Sequence, residues 1–182
     1  MLVELKIHAV AGTVDDNDRS IVLMKEKDGE RILPIMMSSR RALMLMMRSK
    51  LPVQMPVAAT LTDASVLLMQ KFGVQITRVI LTKIKDGMFF CKIIAERDGE
   101  EQELDYCQAA DGLVLATTAF CPVMIDEELL QAQYMHKTGE NSFAININAL
   151  TRQMLEKALH HAVESENYEA ASHLRDELAK RS

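Results

Sequence analysis

The stretch "DGERILPIMMSSRRALMLMMRSKLPV", residues 28–53, aligns without a gap on "DGEEQELDYCQAADGLVLATTAFCPV", residues 98–123. Asp28-Gly29-Glu30 falls on Asp98-Gly99-Glu100, Leu43 and Leu45 on Leu113 and Leu115, and Pro52-Val53 on Pro122-Val123. Each Asp-Gly lies between apolar runs, the setting of a tight hairpin turn, because glycine tolerates the positive φ that such turns require. After each turn the pattern reads as a strand, a short apolar helix, and a proline that opens an extended segment. Upstream, residues 2–10 and 20–26 read as strands leading into the first turn. Residues 75–84 and 88–96 lead into the second, joined by another hairpin at Asp86-Gly87. The expected fold is α/β of the α+β kind, an internally duplicated unit of three antiparallel strands followed by a helix. An extra helix, about residues 62–72, lies between the copies, with Thr62 or Asp63 as its cap and Gly73 at its end.

The first copy carries five methionines in "PIMMSSRRALMLMMRSK", residues 34–50. The matching helix of the second copy, "GLVLATTAF", is equally apolar and holds none. A position that needs only bulk is a packing position, whereas a soft-metal site needs Met or Cys at fixed spacings around a pocket. Being apolar on every side, both helices are expected to be covered twice, by the sheet and by another element or a second subunit.

Composition narrows the class. With 48% hydrophobic and 26% charged residues the chain reads as an ordinary globular protein. No apolar run approaches the roughly 18 residues of a membrane span, so no membrane partner is expected. The N-terminal "MLVELKIHAV" alternates and carries Glu4 and Lys6, unlike a signal peptide. Cys91, Cys107 and Cys121 are odd in number and lack C-x-x-C spacing, which points to buried thiols in a reducing, cytoplasmic setting. A formal net charge of −5 argues against strong sequence-independent DNA binding, which needs clustered Lys and Arg, but leaves room for a local basic patch.

The chain divides into a main domain over residues 1–134, a polar linker over 135–147 and a helical hairpin over 148–182. In the hairpin's first helix Leu155, Leu159 and Ala162 share a stripe; in the second, Tyr168, Ala171, Leu174 and Leu178 do. Glu177 and Arg181 form an i,i+4 pair. Two helices of this size expose too much of their stripes to stand alone, so they call for a partner. His160 and His161 are adjacent and cannot chelate together; His160 with Glu164 is an incomplete site, and the pair reads as a solvated face.

"NYEAASHLRDEL", with its Ala170-Ala171 pair and its Leu174-Arg175-Asp176-Glu177 run, closely resembles the UVR motif of excision-repair proteins over about residues 150–181. That resemblance implies a protein–protein contact device pairing hairpin with hairpin. The first ~130 residues resemble the bifunctional nuclease (BFN) domain family. The matching features are "MLVELKI", "RILPI" at residues 31–35, "FGVQITRVILTKIKDGMFFCKI" from Phe72, and the Asp111 helix followed by "CPVMIDEELL". The resemblance implies an α/β protein that self-associates to a homo-oligomer and acts as a nuclease on RNA and DNA, assisted by Mg²⁺ or Mn²⁺.

The departures from the family pattern shape the site expectations. The usual Ile-Gly-x-x-Glu-Ala is here Met37-Ser38-Ser39-Arg40-Arg41-Ala42, so Arg41 replaces the acid. The usual Thr-His-Asp is Leu61-Thr62-Asp63, and the usual Asp-Ala-Arg-Pro-Ser-Asp-Ala is residues 106–112, "YCQAADG". Asp63 and Asp111 survive as candidate catalytic acids, each with an alternative as a helix-start capping residue. Arg40 and Arg41, at the start of their helix, are candidate phosphate ligands, with a solvated face as the alternative. Two functional readings follow. One is a metal-assisted nuclease with weak sequence preference. The other is a non-catalytic oligomeric scaffold or regulatory module that docks partners through Tyr168, Ala171, Leu174 and Leu178.

Overall fold

A computed structural model describes residues 1–12, 18–50, 60–137, 143–144, 147 and 150–181. Three antiparallel strands come first, β1 (Leu2–Gly12), β2 (Arg19–Glu26) and β3 (Ile32–Ser38), followed by helices α1 (Ser39–Lys50) and α2 (Leu61–Lys71). A second set follows: β4 (Gln75–Lys85), β5 (Met88–Arg97), β6 (Glu100–Gln108) and α3 (Ala109–Ala119). Then come β7 (Val123–Asp126), α4 (Glu127–Gln133), a short ladder of β8 (His136–Lys137) with β9 (Phe143–Ala144), and helices α5 (Arg152–Glu164) and α6 (Tyr168–Lys180). The mixed α+β architecture is the one expected. The strand–strand–strand–helix order occurs twice, and α1 and α3 begin at Ser39 and Ala109, the spacing of the sequence alignment. Pro52 and Val53, read as extended, lie outside the described residues.

The seven strands form one sheet in the order β3-β2-β1-β7-β4-β5-β6. The two strand sets never pair directly. The four-residue β7 lies between them, antiparallel to β1 and parallel to β4. A parallel pair needs a long crossover, and β5, β6 and α3 supply it. Helices α1 and α3 pack against each other and against this sheet, and α2 packs against α3 and β4. Their inner residues Ala42, Leu45, Leu113 and Ala116 meet Val22, Met24, Val79, Leu81 and Ile125 in one buried core.

Two expectations change. The Asp98-Gly99 turn is tight, with both residues at positive φ and Arg97 paired to Glu100, as is Asp86-Gly87. The Asp28-Gly29 connection is wider, since β2 ends at Glu26 and β3 starts at Ile32. Here the Arg31 carbonyl accepts from Glu26 N at 3.0 Å. The Arg31 guanidinium donates to Glu26 at 2.8 Å and to Glu127 of α4 at 2.6 Å. This clamp fixes the turn in place of a left-handed glycine, and it holds the Glu26 and Glu127 carboxyls below their ordinary range. The methionines also divide. Met24 and Met37 are core residues, whereas Met47 of α1, like Leu43, is exposed.

Close packing of α3 onto the sheet depends on Gly112. A Cβ there would sit 2.4 Å from Cys91 Sγ and 3.1 Å from Val79 Cγ1, both beneath the helix. Gly112→Ala therefore forces overpacking that costs about 1–3 kcal/mol, partly offset by the ~1 kcal/mol helix preference of alanine. Chemical denaturation should show G112A destabilised and C91A/G112A substantially rescued. Simple addition of the two single-variant effects would refute the contact.

Candidate functional site

The three helix starts converge on one cleft. It has a volume of about 540 Å³ and is lined by Ser38, Arg40, Arg41, Met44, Thr60, Leu61, Thr62, Asp111 and Val114. Strand β3 runs straight into α1, where the Ser38 hydroxyl accepts from Arg41 N at 3.4 Å. Ser20 and Ser39 join hydroxyls at 3.1 Å, and Ser39 N donates to the Asp18 carbonyl at 2.9 Å, which ties the start of α1 to β2. No acidic residue occupies the first turn of α1. Arg40 is exposed at the cleft and enters no ion pair among the described residues.

Two of the candidate residues meet. Arg41 grips Asp111 with both prongs, Nε to Oδ1 at 2.7 Å and Nη2 to Oδ2 at 3.0 Å. Such a fork satisfies both carboxylate oxygens at once. Asp111 is the third residue of α3, yet it is not the cap: Gln108 holds the N-cap position and makes no side-chain bond. So Asp111 is not the N-cap; it is the acid in the first turn of α3, where it meets the helix dipole and also forms an ion pair.

Asp63 goes elsewhere. It is buried and does not line the cleft. The cap of α2 is neither Thr62 nor Asp63 but Thr60, whose hydroxyl accepts from Asp63 N. Asp63 completes a capping box by accepting from Thr60 N and Thr60 Oγ1, each at 2.9 Å. Its other oxygen is held by the Arg48 guanidinium of α1. Burial pushes the Asp63 carboxyl upward, but Arg48 and Thr60 together outweigh it and leave it below its usual range. Arg41 and Arg48 stand two helical turns apart, about 10 Å along the α1 axis.

The sequence reading did not identify Arg48 or Thr60. Thr60-x-x-Asp63 is a variant of the capping-box spacing and was the available signal; an arginine ending an apolar run carries no signal of its partner. The thiols are not nucleophile candidates. Burial pushes Cys91 up to about 12 and Cys121 up to about 11, and all three cysteines are free. His160 and Glu164 pair at 3.3 Å on an exposed face. Of the hairpin stripe, Ala171 is buried, Leu174 and Leu178 are half-buried as α5 packs on α6, and Tyr168 points out to solvent.

A divalent ion needs several converging carboxylate or imidazole ligands. Among the described residues no group of three or more His, Cys, Asp or Glu converges, and Asp63 and Asp111 already carry guanidinium partners. These residues do not fit Mg²⁺ or Mn²⁺.

The Bifunctional nuclease domain family model matches residues 22–138, well over half of the chain. No curated protein matches it.

Removing Arg48 strands a buried carboxylate, so Arg48→Ala should destabilise by about 3 kcal/mol, and adding Asp63→Asn should recover much of it. Because the folded Asp63 pKa is depressed, its stabilisation is full above the unfolded value near 4 and is lost as pH falls below it. Urea titrations from pH 7 to pH 3 should therefore show a smaller acid loss in R48A/D63N than in the wild type. Equal losses would show that the pair is not the source.

Proposed function

The chain belongs to the bifunctional nuclease domain family, and from that premise we propose a cytoplasmic protein that holds nucleic-acid phosphates in the cleft at the helix starts, with little or no hydrolysis. The Arg41–Asp111 fork is the observation that carries the reading. Cleaving a phosphodiester calls for an activated water, a proton for the leaving oxygen, and charge stabilisation in the transition state. Here the positions that the family resemblance assigns to an acid, a His and an Arg hold Arg41, Thr62 and Gln108. Losing a general acid or base costs ~10²–10⁴-fold in rate. Binding is better supplied. Arg40 stands at an N-terminus with no acid in its first turn, and Thr62 borders the same cleft. Such contacts give affinity without sequence preference.

The test separates binding from cleavage. Purified protein with Mg²⁺ or Mn²⁺ should leave single-stranded RNA and DNA uncut or nearly so. It should still bind them with a salt slope of about 0.7 per phosphate contacted. Arg40→Gln should weaken binding several-fold. Asp111→Asn should tighten it, because it frees Arg41 for phosphate. Robust cleavage that Asp111→Asn or Asp63→Asn abolishes would instead make those carboxylates catalytic and reinstate the metal-assisted nuclease.

A second reading is a homo-oligomeric scaffold whose hairpin docks partners in the manner of a UVR motif; the outer face of α2 supports its self-association. Leu61, Leu68 and Phe72 fall on one stripe and are 84%, 59% and 67% exposed. A contiguous apolar stripe of this kind marks an association surface. On this reading light scattering at micromolar concentration should give more than one chain per particle, and Leu68→Glu should reduce it to one. A wild-type monomer would dismiss the scaffold.

A further inference from the structure

We infer that a second cleft, between the β4–β5 turn and the start of α5, is a phosphate subsite built jointly by the main domain and the helical hairpin. It takes another phosphate of the same single strand and rests on the phosphate-binding reading above. This cleft has a volume of about 260 Å³. Arg41 and Ser38 line it as well as the first cleft, so the two adjoin across the Arg41 side chain. Its further polar walls are Arg19, Gln108, Thr151 and, as the acid among them, Asp18.

The hairpin's contribution is an unsatisfied helix start. Thr151 is the N-cap of α5 but makes no side-chain capping bond, and the first turn of α5 holds no acid. The residue is 8% exposed and lines the cleft, and its Oγ1 is buried without a hydrogen-bond partner. The opening N–H groups of a helix have no partner within it, and here the cap that would serve them is idle. An anion meets both needs.

The start of the hairpin meets the main domain at one close approach. Gly87, at φ +74°, brings the β4–β5 turn so close that a Cβ would lie 2.3 Å from the Leu150 carbonyl oxygen. From the far end of α6, the Arg181 guanidinium donates to the Leu150 and Ile147 carbonyls, the second at 3.2 Å, and to Glu177 at 2.8 Å. Leu150, just before α5, is thus approached by Gly87 on one side and by Arg181 on the other.

Fluorescence anisotropy with a labelled single-stranded 12-mer tests the assignment on the full chain. Met88 lines the cleft and is exposed, so Met88→Lys should tighten binding and steepen the salt slope by about 0.7. Leu104→Lys, the same charge change on exposed β6, should do neither. Thr151→Val should weaken binding several-fold while leaving the melting temperature unchanged or higher, since it removes an idle hydroxyl. If Arg40→Gln weakens binding but Met88→Lys and Thr151→Val match the wild type, the second subsite is wrong and the first cleft stands. Equal tightening by Leu104→Lys and Met88→Lys would also overturn it, as a general charge effect. Failure of the wild type to bind any strand would remove both sites together.

Discussion

The arrangement depends on one short strand. Residues Val123–Asp126 give β7 both its neighbours, β1 on one side and β4 on the other. Ile125 is fully buried at the centre of the core, and Asp126 ends the strand by capping α4 through Glu128 N at 2.9 Å. Without β7 the two sets of strands would each present an open inner edge. With it they become one sheet, and α1 and α3 are brought side by side on it. The meeting of Arg41 with Asp111 is a consequence of that seam, since each residue occupies the third position of its helix.

Much of this was written locally. The Asp-Gly pairs at 86–87 and 98–99, the alternation of the strands and the even spacing of α1 and α3 could all be read from residues close in sequence. The place of β7 could not. Its four residues follow a proline and look merely extended; which strands accept them is a matter of long-range pairing that no local period encodes. The site was half legible for the same reason. Asp111 and Arg41 each stand out, one as an acid and one as a cation, and the alignment of residues 28–53 on 98–123 sets them opposite each other. Asp63 does take part in capping α2, but as the third-residue partner of Thr60 in a capping box rather than as the N-cap itself.

Electrostatically, α1 is the unusual element. It supplies Arg40, Arg41 and Arg48 from one helix and spends two of them on carboxylates delivered by α3 and α2. Of the two pairs, Arg41–Asp111 lies at the cleft and Arg48–Asp63 is buried beneath it. Family membership describes the scaffold on which this arrangement is built; the chemistry belongs to the side chains that this chain carries.

The two outer strands of the sheet are guarded by different means. At the start of β3, Ile32 gives its carbonyl to Met135 N at 2.7 Å, so the chain itself covers one end of that border. Along β6, the exposed residues Glu100, Glu101, Glu103 and Asp105 form a fringe of negative charge, partly tied down by Arg78 and Lys92 on the strands inside it. An edge so charged repels a second copy of itself, because like charges would face one another at every other residue. Growth of this sheet from molecule to molecule is thereby disfavoured, and the protein can carry exposed apolar helix faces without inviting its strands to polymerise.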